Sequence, residues 1–377
     1  MWWESQYPEI YKKITKFVTL NGYVNGKMCS IKADQAVMDY TLLSFFGNDD
    51  AENLEWSESL SDVLEIDVEK LPEVVEPWSR VGGLSKEAAE ITGLLEGTTV
   101  VAGAGYQPAG FLGAGLLDIG SVIDISGSST ILQLTVDEYR SDKINNTVMY
   151  MPSVIRGIYH AFTYINGGGI TLRWFRDQFL NNEDDIPVKD LYGEIEKKAR
   201  VVPAGSEGLI FIPYMGGRQC PYSEELRGSW IGLNWGHRKE HLYRAILEAL
   251  TYDYRLGLDA LKELFPEIKI SNMPVSGGSA KSGLFNQIKA DIMGIDYIRT
   301  IEEVFAIRGS GIIAGYGVGA FKNLREISNK INILKEDHVY RPDRSNYKIY
   351  SEYFDIFKEI IDKPLKDTFR ILYKKSG

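Results

Sequence analysis

The chain has 377 residues, 44% hydrophobic and 25% charged, and its 52 Asp+Glu against 42 Lys+Arg give a net charge of -10. At about 100 to 200 residues per domain this leaves room for two domains with a large core, and the composition excludes a disordered chain. The acidic balance argues against a nucleic-acid or anionic-lipid surface, which needs a basic face, but it leaves phosphate ligands open because backbone N–H groups hold them without changing net charge.

In chain order, an aromatic, helix-like opening (Trp2, Trp3, Tyr7, Tyr11, Phe17) leads into text that predicts mostly helix as far as Leu94. Thr98 to Gly105 then predicts a strand running into a glycine turn, with small-residue helix text from Gln107 to Leu116. Strand, turn and helix in that order are a unit of an α/β fold. A turn at Asp118 to Gly120 marks a domain boundary, dividing 1–117 from 118–377, and Ser121 to Ser126 is a strand ending in Gly127-Ser128-Ser129. Further strands are predicted at Leu209 to Pro213 and Met273 to Ser276, and a long helix over about His241 to Phe265. The tail from Tyr350 to Tyr373 predicts amphipathic helix broken near Pro364.

No apolar run approaches the roughly 20 residues of a membrane span, and the first residues lack the basic and apolar regions of a signal peptide. Cys29 and Cys220 stand far apart with no CxxC spacing, which excludes a disulfide framework and a zinc site and predicts a cytoplasmic protein. His160, His237, His241 and His338 form no metal-binding spacing, so no metal ligands are assigned, and His237 with His241 reads as a helix start.

Glycine-rich turns occur at 103–110, 127–129, 167–169 and 277–282. Each alone reads as an ordinary turn, but such turns also let a backbone approach a phosphate, and four together favour that use. Ala280 precedes Lys281-Ser282 where a phosphate-binding P-loop has glycine, so that motif is absent. Gly309-Ser310-Gly311-Ile312-Ile313-Ala314 fits GxGxxA, yet no strand precedes it, and closely packed helix is the better reading.

Gly228-Ser229-Trp230-Ile231-Gly232-Leu233, followed after seven residues by His241-Leu242-Tyr243-Arg244-Ala245-Ile246-Leu247-Glu248, resembles the second signature of the FGGY family of carbohydrate kinases. Pro213 to Arg218 resembles the approach to that signature, Gly277 to Ser282 with Gln287 and Asp291 the family's adenosine loop, and Gly127-Ser128-Ser129 its second phosphate turn. The resemblance implies two ribonuclease-H-like, actin-like ATPase domains. It also implies an enzyme that uses ATP and Mg2+ to phosphorylate a hydroxyl of a sugar or polyol. Gly127 and Ser128 would face the phosphates, Gly277, Gly278 and Ser282 the adenosine with Gly228 nearby, and Gln107 the sugar.

Two departures from the family pattern shape the expectation. The opening strand-turn-strand with Asp-x-Gly-Thr is not found, which predicts an N-terminally truncated member whose first domain is incomplete. The turn that usually reads Gly-x-x-Asp-Gln reads Gly103-Ala104-Gly105-Tyr106-Gln107, placing Tyr106 where the family has its general base. A phenol keeps its proton near neutrality and donates where a carboxylate would accept. The alternatives to an active kinase are therefore a non-catalytic, nucleotide-binding pseudokinase and half of a split kinase. The protein partners left open are a second copy of the chain or a complementing N-terminal fragment.

Overall fold

The structure, a computed structural model, describes residues 2–180, 191–300, 305–331, 336–362 and 364–376. Residues 2–117 are less helical than their periodicity predicts. Helices α1 (Trp2–Gln6), α2 (Pro8–Tyr11), α3 (Leu20–Cys29), α4 (Glu58–Val63) and α5 (Lys86–Thr92) alternate with strands β1 (Val37–Asp39), β2 (Asp49–Asp50), β3 (Glu55–Trp56), β4 (Glu73–Val75), β5 (Arg80–Gly83) and β6 (Thr99–Val101). The strands pair two by two, β1 with β4, β2 with β3 and β5 with β6. Runs of two to four residues are too short to print an alternation over a helical background. This region buries apolar clusters of its own, Met38, Tyr40, Leu43 and Leu54 in one and Leu84, Ala88 and Val100 in another.

After β6 comes α6 (Tyr106–Gly113), and the chain then enters the main sheet. Strands β7 (Val122–Ser126), β8 (Thr130–Val136), β9 (Met149–Pro152) and β10 (Tyr159–Ile165) form an antiparallel set, while the pairs β11 (Ile210–Ile212) with β14 (Ser229–Ile231) and β12 (Arg218–Gln219) with β13 (Tyr222–Ser223) stand apart. Strands β15 (Asn272–Ser276), β16 (Asp296–Thr300) and β17 (Glu336–Tyr340) extend the sheet beyond β7, giving the order β17-β16-β15-β7-β8-β10-β9. β15 runs parallel to both β7 and β16, and β17 closes the edge antiparallel. This mixed order, four antiparallel strands continued by parallel β15 and β16, is the α/β arrangement expected for an actin-like domain.

Helices α7 (Gly168–Phe175), α8 (Leu191–Arg200), α9 (Lys239–Leu264), α10 (Gly283–Met293), α11 (Phe305–Gly317), α12 (Leu324–Ile331), α13 (Arg344–Asp362) and α14 (Pro364–Ser376) complete the fold. α9 is the predicted long helix, beginning two residues early. His241 sits at its third position and bonds back to the Arg238 backbone, so it is a helix-start residue as expected. The tail divides at Pro364, and Tyr350, Phe354 and Phe357 of α13 join the main core with Tyr243, Ile246 and Leu250 of α9.

The GxGxxA stretch lies inside α11, and its first glycine explains the small-residue text. A Cβ on Gly309 would stand 1.8 Å from the Ala109 carbonyl oxygen of α6, and one on Gly113 would stand 2.0 Å from the Phe305 oxygen. The two helix backbones are in direct contact. Gly309→Ala is expected to cost about 1 to 3 kcal/mol or more by overpacking. Gly311, two residues on, has nothing within 4 Å of the same position, so Gly311→Ala should stabilise α11 by up to about 1 kcal/mol through helix propensity. Urea denaturation of both variants checks this; equal effects would mean the helices are not in contact.

Candidate functional site

β7 and β15 lie side by side and parallel, with Val275 opposite Asp124 and Ser276 opposite Ile125, so both strands end at the same edge of the sheet. Ligand sites of α/β sheets form at such carboxyl ends. β7 runs out into Gly127-Ser128-Ser129, where Gly127 is half-buried and Ser128 exposed. The start of α7 closes on this turn, with the Gly169 N–H donating to the Gly127 carbonyl and the Ile170 N–H to the Ser128 carbonyl, both at 3.1 Å. A Cβ on Gly169 would meet the Gly127 oxygen at 2.4 Å, so Gly169 serves this close approach.

β15 ends in Gly277, whose φ of +96° and approach to the Ser126 carbonyl, 2.6 Å from where a Cβ would be, admit no side chain. Gly278 opens a short 3-10 turn, Gly278–Lys281, and has empty space where its Cβ would be. Ser282 then caps α10, its hydroxyl accepting from the Phe285 N–H at 3.0 Å.

Between these turns lies a cleft of about 730 Å³, lined by Gly127, Ser128, Gly169, Gly278, Ser282 and Lys281 from the sheet edge, by Arg173 and Arg176 near α7, by Tyr192 and Glu196 of α8, and by Tyr243 of α9. Its size suits a drug-sized or nucleotide-sized ligand. Among the described residues that line it, three cations stand against one carboxylate, Glu196, whose pKa is pushed up by burial against the opposing pull of its bond to Ser282 and of Arg200. Arg176 is already paired with Asp177 at 2.5 Å.

The structure therefore brings together Gly127, Ser128, Gly278 and Ser282, with Gly277 shaping the same edge. Gly228 is not among the lining residues, and its α-carbon is occupied from the side by Met215, whose sulfur would lie 2.1 Å from a Cβ. Tyr106 and Gln107 are likewise outside this lining. They head α6, with Tyr106 74% exposed and Gln107 half-buried. Arg173, Arg176, Tyr192, Glu196 and Tyr243 were missed by sequence reasoning, since only the folding of α7, α8 and α9 around the sheet edge brings them in.

Among the described residues no group of three His, Cys, Asp or Glu is arranged to hold a metal ion. Among the described lining residues there is one carboxylate, already bonded, so these residues do not build a Mg2+ cage. Such an ion would have to arrive on a nucleotide's phosphates. Asp118 is exposed and paired with Arg325 at 3.3 Å, and Asp124 is wholly buried, so neither replaces a carboxylate at position 106.

Comparison with known proteins decides the family. The model of the C-terminal domain of the FGGY family of carbohydrate kinases matches residues 125–317, and that of the N-terminal domain matches residues 1–113. The chain belongs to the FGGY family of carbohydrate kinases. It is 27% identical to a xylulose kinase of Bacillus subtilis over 96% of this chain and 69% of that kinase, and 27% identical to a gluconokinase of Bacillus licheniformis over 94% and 68%. Among solved structures, a ligand-bound xylulose kinase of Lactobacillus acidophilus superposes with a TM-score of 0.83 over 100% of this chain and 72% of that one, with 24% identity.

The N-terminal match corrects an expectation. An N-terminally truncated chain with an incomplete first domain is the expectation drawn from the missing opening strand-turn-strand, but residues 1–113 are first-domain sequence of this FGGY protein. The two buried clusters described above are the physical counterpart of that match. The ground for a split kinase or a complementing N-terminal fragment goes with the truncation.

The turn carrying Tyr106 is anchored by a residue that sequence reasoning passed over. Asp39, fully buried, accepts from the Thr41 N–H at 3.0 Å, from the Thr41 hydroxyl and from the Asn21 amide at 3.3 Å. The Thr41 hydroxyl in turn accepts from the Gly105 N–H at 2.8 Å. Burial raises the Asp39 pKa to about 6, more than these hydrogen bonds lower it. Because the folded value lies above the unfolded one, stability should fall as pH rises from about 4 through 6, by roughly 3 kcal/mol in all. Asp39→Asn should abolish that part of the slope. Urea midpoints from pH 4 to 7 for parent and variant check it, and superimposable profiles would contradict the assignment.

Proposed function

We propose that this FGGY protein binds Mg-ATP in the cleft between the 127–129 and 277–282 turns and acts on a hydroxyl of a sugar or polyol. The observation that carries the reading is the convergence of both turns on one edge of the sheet, around space of nucleotide size with cations in its wall. Gly127 and Ser128 would meet the phosphates through backbone N–H groups and the Ser128 hydroxyl, and Gly278 and Ser282 would lie along the adenosine. Bound Mg2+ supplies charge neutralisation on the phosphates, while the protein contributes positioning and excludes water. Gln107 would contact the acceptor. The division into 1–117 and 118–377 belongs to the same proposal and is supported by family matches ending at 113 and starting at 125.

A second reading, a nucleotide-binding protein without turnover, is favoured by Tyr106 at the position of the family's base. In either case no described helix is long and apolar enough to cross a membrane. Both cysteines are free, which supports a cytoplasmic setting.

Titrating Mg-ADP in a calorimeter and in a thermal melt tests the cleft, because a ligand selective for the native state raises its melting temperature. Binding is expected, and no response at millimolar nucleotide would refute the reading. ADP release with xylulose, gluconate and glycerol as acceptors then separates the two readings. The parent should be slow, and Tyr106→Asp should raise acceptor-dependent turnover by roughly 10² to 10⁴. Ordinary kinase rates in the parent would show that another group takes the proton, and a variant as inactive as the parent would favour the non-catalytic reading.

A further inference from the structure

Directly beneath the two turns lies a charge pair that the proposed chemistry does not use. Lys289 of α10 and Asp124 of β7 have fully buried side chains and meet at 2.7 Å. The three donors of the ammonium find Asp124 Oδ2 at 2.7 Å, Ser126 Oγ at 2.5 Å and Tyr254 Oη at 3.5 Å. Ser126 Oγ and Tyr254 Oη each donate to Asp124 Oδ1, at 2.8 and 3.0 Å. The Phe285 and Tyr254 rings stand over the ammonium, their centroids 4.2 and 4.7 Å away.

A buried ion pair is a weak source of stability, since taking two charges out of water offsets most of their attraction, and an apolar pair of similar volume would fill the same space. What the charges add is direction. Ser126, the last residue of β7, bonds to each of the other three members, Asp124, Lys289 and Tyr254, and its own carbonyl is the atom packed against Gly277. The network thus grips the one residue that borders both turns. It ties that residue to α9 through Tyr254 and to α10 through Lys289, and α10 begins at the cleft with Ser282.

We infer that Asp124 and Lys289, with Ser126 and Tyr254, are positioning residues that hold the Gly127 and Gly277 turns in register to receive the phosphates of a nucleoside diphosphate or triphosphate. This rests on the reading of the cleft as a nucleotide site.

The test separates position from stability. In Asp124→Val/Lys289→Met both charges leave together, and the Ser126 and Tyr254 hydroxyls, 3.1 Å apart, still satisfy one another. Two readouts are taken on the full chain: the dissociation constant for Mg-ADP, and hydrogen exchange of the amides of 127–129 and 277–281 without nucleotide. The double variant should fold, bind Mg-ADP roughly tenfold or more weakly and exchange faster at both turns. A folded double variant with the parent's affinity overturns the inference. If the double variant does not fold, Ser126→Ala takes its place, with weaker binding supporting the inference and unchanged binding overturning it. If the parent itself does not bind Mg-ADP, the nucleotide reading fails, and exchange at the turns alone decides whether the pair positions them: faster supports it, unchanged overturns it.

Discussion

The parallel pairing of β7 with β15 is the constraint on which the site depends. Strands far apart in sequence end at one level because they run the same way, and the turns that follow have nowhere to go but the same edge. The close approach of Gly277 to the Ser126 carbonyl is a direct consequence, since two adjacent strand ends leave no room for a side chain between them. The antiparallel neighbour β8 then returns from the first turn, while α10 departs from the second, which leaves the space between them open for α7, α8 and α9 to wall in.

Much of this frame was legible in the sequence. The apolar run of Val122 to Ser126, the strand text before Gly277, the stripe of α9 and the break at Pro364 all appear where the pattern places them, because each is long enough or punctuated strongly enough to print a period. The reading of Gly309 to Ala314 as closely packed helix also held, for a reason of backbone contact that composition only hints at. Residues 2–94 were read less well. β1 and β4 are three residues each and find one another across some thirty intervening positions, so their pairing is a tertiary fact with no local signature. Asp39 escaped for the same reason, as its partners Asn21 and Thr41 and the turn at Gly105 are assembled only by the fold.

Family position and local physics agree at some residues and part at others. Gly127, Ser128, Gly278 and Ser282 sit where the resemblance puts them and also line open space. Gly228 matches the family signature, but here its small size is used by Met215. Ser282 does two things at once, capping α10 and bonding Glu196 in the cleft wall, so a helix start and a ligand surface share one hydroxyl.

The contact of α6 with α11 has a mechanical meaning. Two helices separated by side chains can slide, because rotamers along the interface yield and exchange neighbours. Where the Ala109 carbonyl rests against bare Gly309, and the Phe305 carbonyl against Gly113, there is no such compliant layer to yield to lengthwise travel. Rotation about the point of contact meets no such obstacle. Any movement of α6 against α11 is accordingly a pivot on this crossing, set by Gly113 and Gly309 and not by the length of a connecting loop.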